Sequence, residues 1–337
     1  MKISTIIASG LTLCLSVGAA QASTFEDVKK RGMVSCGVST GLAGFSQKDE
    51  KGMWSGLDVD VCRTVAAAVF GDDTKVQYKP LTAKERFTAL QSGEIDLLAR
   101  NTTWTHTRDT SLGLNFAGVN YYDGQGFMVS KKIGVSSALE LDGAAVCIQA
   151  GTTTELNLAD YFREHGLSYK AITFDTSDQT RAGFESGRCD VLTSDQSQLY
   201  AIRIGLKNPS DALVLPEVIS KEPLGPVVRQ GDDEWFNIVR WSLTAMIEAE
   251  FLGLTSANAD AAYAGGTPGQ KRLLGSEGDA GDKLGLDAKW AYYIVKLVGN
   301  YGESFERNVG MGSPLEISRG QNAQWNKGGL MYSAPIR

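Results

Sequence analysis

The chain has 337 residues and a formal net charge of −6. That length suggests two cores rather than one, and an acidic chain without a basic block argues against nucleic-acid binding. Its 42% apolar and 21% charged residues are those of an ordinary globular protein.

The first residues read as an export signal. Lys2 precedes an apolar run from Ile6 to Val17, and Ala20-Gln21-Ala22 is a small-x-small cleavage site. The run is shorter than the roughly 20 residues of a membrane helix, and no later segment is long and apolar enough to be one. Cleavage after Ala22 is expected, with a soluble mature chain starting at Ser23. Cys14 lies inside the run with Leu13 before it, which argues against a lipoprotein. Four cysteines then remain: Cys36, Cys62, Cys147 and Cys189. An even count in an exported chain favours disulfides. No pair has zinc-ligand spacing, and His106 and His165 are too few for a His-rich metal site. No metal and no cofactor are expected.

Thr24 to Arg31 reads as a capped helix stopped by Gly32, and Met33 to Val38 as a strand. A Gly-rich loop follows from Gly41 to Lys51. Asp58 is placed as the cap of a helix carrying Leu57, Val61, Val65 and Val69 at helical spacing, which stops at Gly71. Val76–Tyr78 is a strand, Lys84–Gln91 a helix closed by Ser92-Gly93, and Asp96–Ala99 a strand. The alternation predicts a parallel α/β sheet. The pattern then returns: strand Ala144–Ile148, helix from Thr154 to His165, strand Ala171–Phe174, a helix ending at Ser186-Gly187, and strand Asp190–Thr193. The stretch from Leu90 to Leu98 and that from Phe184 to Leu192 share apolar, x, Ser-Gly, x, x, Asp, apolar, apolar. Two lobes of similar α/β build are therefore expected, with a ligand cleft beyond the carboxyl ends of the strands.

Three segments sit at such ends. Asn101 to Asp109 supplies hydroxyls, backbone amides and Arg108, whose planar fork suits a carboxylate. Gly151-Thr152-Thr153-Thr154-Glu155 starts a helix, where free amides and the dipole favour an anion. Ser194-Asp195-Gln196 offers a carboxylate to an ammonium, although a residue in that place is ordinarily a helix cap. Gly37-Val38-Ser39-Thr40-Gly41 fits the serine-hydrolase elbow in letters only, because it leads into a loop and not a helix. No phosphate-loop or dinucleotide glycine pattern occurs.

Arg100-Asn101-Thr102-Thr103-Trp104-Thr105 with Arg108, and Ser186-Gly187-Arg188-Cys189-Asp190, carry a wider resemblance. So do Gly299-Asn300-Tyr301-Gly302-Glu303 with Phe305-Glu306-Arg307-Asn308, and Ser313-Pro314-Leu315. Over nearly the whole mature chain the sequence resembles periplasmic solute-binding proteins of ABC transporters for polar amino acids. It is most similar there to the general L-amino-acid-binding branch. The resemblance implies a two-lobed type II periplasmic-binding fold. Lobe 1 would comprise residues 24–124 plus 228–337, lobe 2 residues 125–227, with a hinge of two strands near 122–127 and 223–228.

It also implies roles. Arg108 would hold the α-carboxylate with the Thr153 amide and hydroxyl. Asp195 would hold the α-ammonium with the Asn101 carbonyl and the Thr103 hydroxyl. Leu42 or Phe45 would cover the apolar part of the ligand. Arg86 would meet a side-chain carboxylate, its ordinary alternative being a pair with Glu85 or solvent. The expected protein is a monomer that captures free L-amino acids, glutamate, aspartate and glutamine among them, for an ABC permease. The competing expectation is an exported enzyme on the same fold, such as a cyclohexadienyl dehydratase. That needs a carboxylate or histidine over the reacting bond, and Asp195 is already assigned to the ammonium. Within this frame the cysteines are expected to pair as Cys36–Cys62 and Cys147–Cys189. Each bridge then stays in one lobe, whereas a bridge between lobes would clamp the hinge.

Overall fold

The computed structural model describes residues 23–337. The export signal and its cleavage after Ala22 lie outside the described residues.

The first helix, α1 (Thr24–Arg31), carries Glu26 and Asp27 in its first turn and ends at Gly32 in the left-handed region. It leads into β1 (Val34–Ser39), buried along its whole length. Gly37 lets that strand pack closely: a Cβ would lie 2.6 Å from Ile95 Cδ1 and 2.9 Å from Leu81 Cδ1. The expected Gly-rich loop contains a short hairpin, β2 (Gln47–Lys48) and β3 (Trp54–Ser55).

The next helix, α2 (Leu57–Phe70), starts from Gly56, so Asp58 is not its cap. Asp58 lies inside the first turn, buried, and accepts from the Asn101 amide at 2.7 Å and from Asn120 Nδ2 at 3.1 Å. Burial raises its carboxyl pKa to about 6. The first bond anchors the loop after Leu97–Leu98, and the second the segment that leads into Tyr121.

In chain order come β4 (Val76–Leu81), α3 (Arg86–Gln91), β5 (Leu97–Leu98), α4 (His106–Ser111), β6 (Leu114–Phe116) and β7 (Tyr121–Asp123). They are followed by β8 (Gln125–Ser130), β9 (Ala144–Gln149), α5 (Thr153–Glu164), β10 (Tyr169–Phe174), α6 (Ser177–Glu185), β11 (Val191–Asp195), α7 (Gln196–Ile204) and β12 (Ala212–Val214). The chain then returns through β13 (Glu222–Leu224) and β14 (Val227–Arg229) to α8 (Asp233–Phe251), α9 (Ala259–Gly265), α10 (Pro268–Leu274), α11 (Trp290–Leu297) and α12 (Tyr301–Asn308).

Two five-stranded sheets result, ordered β4-β1-β5-β14-β6 and β10-β9-β11-β8-β12. They are mixed rather than purely parallel. Three strands of each run parallel, as the alternation predicts, but β14 runs against β5 and β6, and β8 runs against β11 and β12. The reason is connectivity. β8 and β14 are the strands entered directly after the chain crosses from the other sheet, so they arrive from the opposite end. The crossings are β7 and β13, which pair antiparallel with Glu222 opposite Asp123.

The sequence match between the halves has a structural counterpart. Gly93 and Gly187 both close helices at positive φ, the Asp96 amide donates to Ser35 of β1, and the Asp190 amide donates to Ala145 of β9. The disulfides join Cys36 of β1 to Cys62 of α2, and Cys147 of β9 to Cys189 just before β11. Each lies within one lobe.

Helices α8, α11 and α12 pack on α2, with α8 also touching β14 of the first sheet, and α9 and α10 lean on α11; Trp235, Trp290, Tyr301 and Phe305 are buried completely. The chain after them reaches the crossing strands. Asn322 accepts from the Tyr122 amide at 2.7 Å and donates to the Tyr122 carbonyl at 3.0 Å, so its carboxamide acts as a strand partner for β7. Among the described residues no helix is long and apolar enough to cross a membrane.

Candidate ligand-binding site

The segment after β5 passes through Asn101 at a φ of +30°, a region non-glycine residues seldom occupy. It is fixed there by the bond from its amide to Asp58 and by Arg100 Nη1, which donates to its side-chain oxygen at 3.2 Å. Thr105 then caps α4 by accepting from the Arg108 amide. This cap turns Arg108 back toward the loop, where Nη1 donates to the Thr103 carbonyl at 2.9 Å and the guanidinium lies over the Phe87 ring.

Arg86, at the start of α3, is 2% exposed. Its contacts are long: Nη1 to the Arg100 carbonyl at 3.4 Å and to Thr102 Oγ1 at 3.3 Å, Nη2 to the Gly151 carbonyl at 3.5 Å. Its Nε has no partner. Glu85 does not pair with it; that carboxylate accepts from the Thr82 amide and hydroxyl. Burial, then the charges of Arg108 and Arg100, push the Arg86 pKa well below its ordinary value. Burial likewise lowers Arg100, to about 10, and Arg108. Three crowded guanidiniums in a dry place favour an anion.

The second lobe supplies the opposite face. Helix α5 begins without a side-chain cap, which leaves its first-turn amides available. Thr153 Oγ1 is 3.4 Å from Thr103 Oγ1 and donates to Glu222 at 2.9 Å. Strand β11 ends at Asp195, 6% exposed, whose Oδ1 has no hydrogen-bond partner. Burial, reinforced by Asp123 and Glu222, holds its carboxyl well above the usual carboxylate range, against the pull of Arg86 and Arg108. Asp123 is itself raised to about 6 by burial.

Arg86, Asn101 and Thr103 from one lobe, and Thr153, Asp195 and Gln198 from the other, enclose a cavity of about 20 Å³. Few bonds hold it shut. Apart from the threonine pair and the Arg86–Gly151 contact, Asn101 Nδ2 lies 3.4 Å from Gln198, and Lys84 pairs with Asp175 in an exposed bridge. Gly151, at a φ of +78°, lets the lobes approach: a Cβ would lie 3.0–3.3 Å from Lys84 and the Ala83 carbonyl carbon.

Of the residues singled out in the sequence, Arg86, Asn101, Thr103, Thr153 and Asp195 meet at this cavity, and Arg108 stands behind Thr103. Leu42 and Phe45 are not brought to it. Leu42 lines a separate recess between the lobes, and Phe45 is 1% exposed in the core, edge-on to Tyr121 at 5.3 Å. Sequence reasoning missed Glu222, a buried carboxylate on β13 that holds Thr153 and Asn157. It also gave no role to Arg100, Asp123 or Gln198. Arg100 stood inside a quoted motif; Glu222 stands beside Pro223 with no local signal. Among the described residues no cluster of three His, Cys, Asp or Glu could hold a metal.

This constellation can hold one anionic and one cationic group a few ångströms apart, with charge left over for a second anion. Two α/β lobes, joined by two crossing strands and facing each other over such a cavity, define a two-lobed solute-binding protein of the type II fold. The chain belongs to the bacterial extracellular solute-binding proteins, family 3, whose family model matches residues 34–256. It is 59% identical over 327 residues to the general L-amino acid-binding periplasmic protein AapJ of Rhizobium johnstonii, covering 96% of each chain. It is 52% identical over 338 residues to the glutamate/glutamine/aspartate/asparagine-binding protein BztA of Rhodobacter capsulatus, covering 100% of each. Among solved structures, an ABC transporter periplasmic binding protein from Brucella ovis with glutathione bound superposes with a TM-score of 0.92 at 58% identity, covering 94% of this chain and 100% of that one.

The under-satisfied Arg86 leads to a specific expectation. Arg86→Ala lowers affinity for glutamate by about 10- to 100-fold, the worth of one charged hydrogen bond, and leaves glutamine within threefold. Calorimetric titration of both ligands checks it. Equal losses for the two would remove Arg86 from the side-chain pocket.

Proposed function

We propose that this chain is the periplasmic substrate-binding component of an ABC amino-acid importer. It captures free L-amino acids between residues 24–124 plus 228–337 on one side and 125–227 on the other, and delivers them to a membrane permease. The observation that carries the reading is the unpartnered oxygen of buried Asp195 facing a cluster of arginines and the open start of α5. A zwitterion satisfies both. Arg108 and the Thr153 amide take the α-carboxylate. Asp195, the Asn101 carbonyl and the Thr103 hydroxyl take the α-ammonium. Arg86 takes a side-chain carboxylate, and water around it lets neutral side chains bind too. This breadth, across glutamate, aspartate and glutamine, accords with the names of the two relatives above.

A cavity of about 20 Å³ has room for a water or two. An amino acid therefore arrives with the lobes parted along β7 and β13 and is enclosed as they close. The contacts that span the lobes at the cavity are single, long or exposed, and such contacts contribute little. The ligand's own charge pairs, dried on closure, supply the closing free energy. The protein acts in the periplasm as a monomer, after cleavage behind Ala22, and binds no nucleic acid. It is not an enzyme: Asp195 is committed to the ammonium, and neither His106 nor His165 stands among the cavity residues. Titration with L-glutamate, L-glutamine and L-alanine, beside an assay for turnover of prephenate and arogenate, tests this. Turnover, or the absence of amino-acid binding, would overturn it.

A pH dependence follows from Asp195. In the closed and empty cleft the carboxyl holds its proton to unusually high pH, whereas the ammonium requires the carboxylate. Binding therefore releases a proton below that raised pKa, and affinity falls as pH is lowered through it, by up to about tenfold per unit. Because Asp123, also raised by burial, stands beside it, the pKa read from the curve belongs to the pair. Calorimetry in two buffers of different ionisation enthalpy, repeated over a range of pH below neutrality, should show this release, and Asp195→Asn should abolish it. A flat affinity across that range contradicts the assignment.

A further inference from the structure

The recess that Leu42 lines is far larger than the inner cavity, about 620 Å³, and also lies between the lobes. That volume is in the range of small-molecule sites. One wall is the loop from Thr40 to Lys48 in lobe 1, and the facing wall is Ser177, Asp178 and Arg181 of α6 with the end of α7 in lobe 2. Arg307, Asn308, Pro314 and Leu315 close it. These last residues belong to two of the motifs noted in the sequence and lie beyond residue 256, where the family match ends. The C-terminal extension thus builds part of the cleft.

The chemistry of the recess is cationic. Lys48, Arg181 and Arg307 face it against a single carboxylate, Asp178. Arg181 donates Nη1 to the Gly205 carbonyl at 2.8 Å and pairs with Asp178 at 3.2 Å, but its Nε is buried without a partner. Lys48 makes no ion pair among the described residues. Arg307 spends one nitrogen on Asp60 and the Val298 carbonyl. Gln198 links the recess to the inner cavity. It lines the cavity, its oxygen meets Asn101 at 3.4 Å, and its amide meets Ser177 of the recess wall at 3.3 Å. Both bonds are long, so the carboxamide is easily displaced.

We infer that this recess is a second subsite, which takes the distal carboxylate of ligands whose amino-acid head sits in the inner cavity and whose side chain continues through an amide, as in γ-glutamyl dipeptides. The inference rests on the amino-acid reading above. Arg181 and Lys48 grip the distal carboxylate, and Gln198 swings aside to let the chain through.

Calorimetric titration of γ-L-glutamylglycine and of L-glutamine into the wild type, Arg181→Ala and Lys48→Ala tests it. The wild type is expected to bind both. Arg181→Ala should weaken γ-glutamylglycine by about 10-fold or more, and Lys48→Ala by a few-fold, with glutamine unchanged in each. Lys48 is exposed and unpaired, so its variant folds even if the arginine variant does not. Wild type that binds glutamine but not γ-glutamylglycine overturns the subsite, as do variants that bind the dipeptide like wild type. Failure to bind glutamine as well overturns the amino-acid reading beneath it.

Discussion

Replacing Arg108 by alanine is expected to weaken binding of every amino acid by about 30-fold to several thousand-fold, the effect of truncating one partner of a buried charge pair. The size follows from where the guanidinium sits. It is 8% exposed, held by the Thr103 carbonyl and the Phe87 face, and feels the opposing charges of Glu222 and Asp195. Without it a ligand carboxylate enters a dry cleft with the α5 amides and the remaining arginines alone. The loss should be equal for glutamate and alanine, because the α-carboxylate is common to both. Calorimetry with the two ligands checks this, with circular dichroism to establish that the variant is folded. A loss confined to glutamate would assign Arg108 to the side chain, and no loss would remove it from the site.

The second large effect concerns stability. The chain-entropy relation gives about 3.5 kcal/mol for a bridge closing 26 residues and about 4 kcal/mol for one closing 42. Converting Cys36 and Cys62 together to alanine, or Cys147 and Cys189, should therefore lower unfolding free energy by about 3–4 kcal/mol each. Each bridge ties a central strand to a neighbour within its own lobe, Cys36 to α2 and Cys147 to the start of β11. Neither crosses β7 or β13, so amino-acid affinity measured well below the unfolding transition should stay the same. Urea unfolding of each pair variant reads the first expectation and calorimetry the second. Peptide mapping that joined Cys36 to Cys147 or Cys189, or an unchanged unfolding midpoint, would refute the account.

What the sequence reveals and what it hides divide along chain distance. The helix at residues 24–31, the strand-helix alternation and the paired Ser-Gly turns are written in local terms: periodicity, caps and glycines at positive φ. The segments at the strand ends were legible for the same reason, since a fold of this kind places ligands there. Asp58 was misread because an acid ahead of an apolar run is also a cap signal. Gly56, at a φ of +131°, starts the helix two residues earlier and carries Asp58 into the first turn, where its partners are Asn101 and Asn120. Glu222 was invisible because its meaning comes from Thr153, 69 residues away. Phe45 and Leu42 follow a strand, as cleft residues do, but an apolar side chain there can turn to the core, and Phe45 meets Tyr121 instead. The antiparallel strands β8 and β14 depend on how the chain crosses between sheets, which periodicity does not encode.

The measurement that bears most directly on the central claim is a crystal structure of the protein with L-glutamate. The ligand is expected between the lobes, its α-carboxylate within hydrogen-bond distance of Arg108 and the Thr153 amide, and its ammonium on Asp195. A ligand bound outside the interlobe cavity, or one whose ammonium turns away from Asp195, would contradict it.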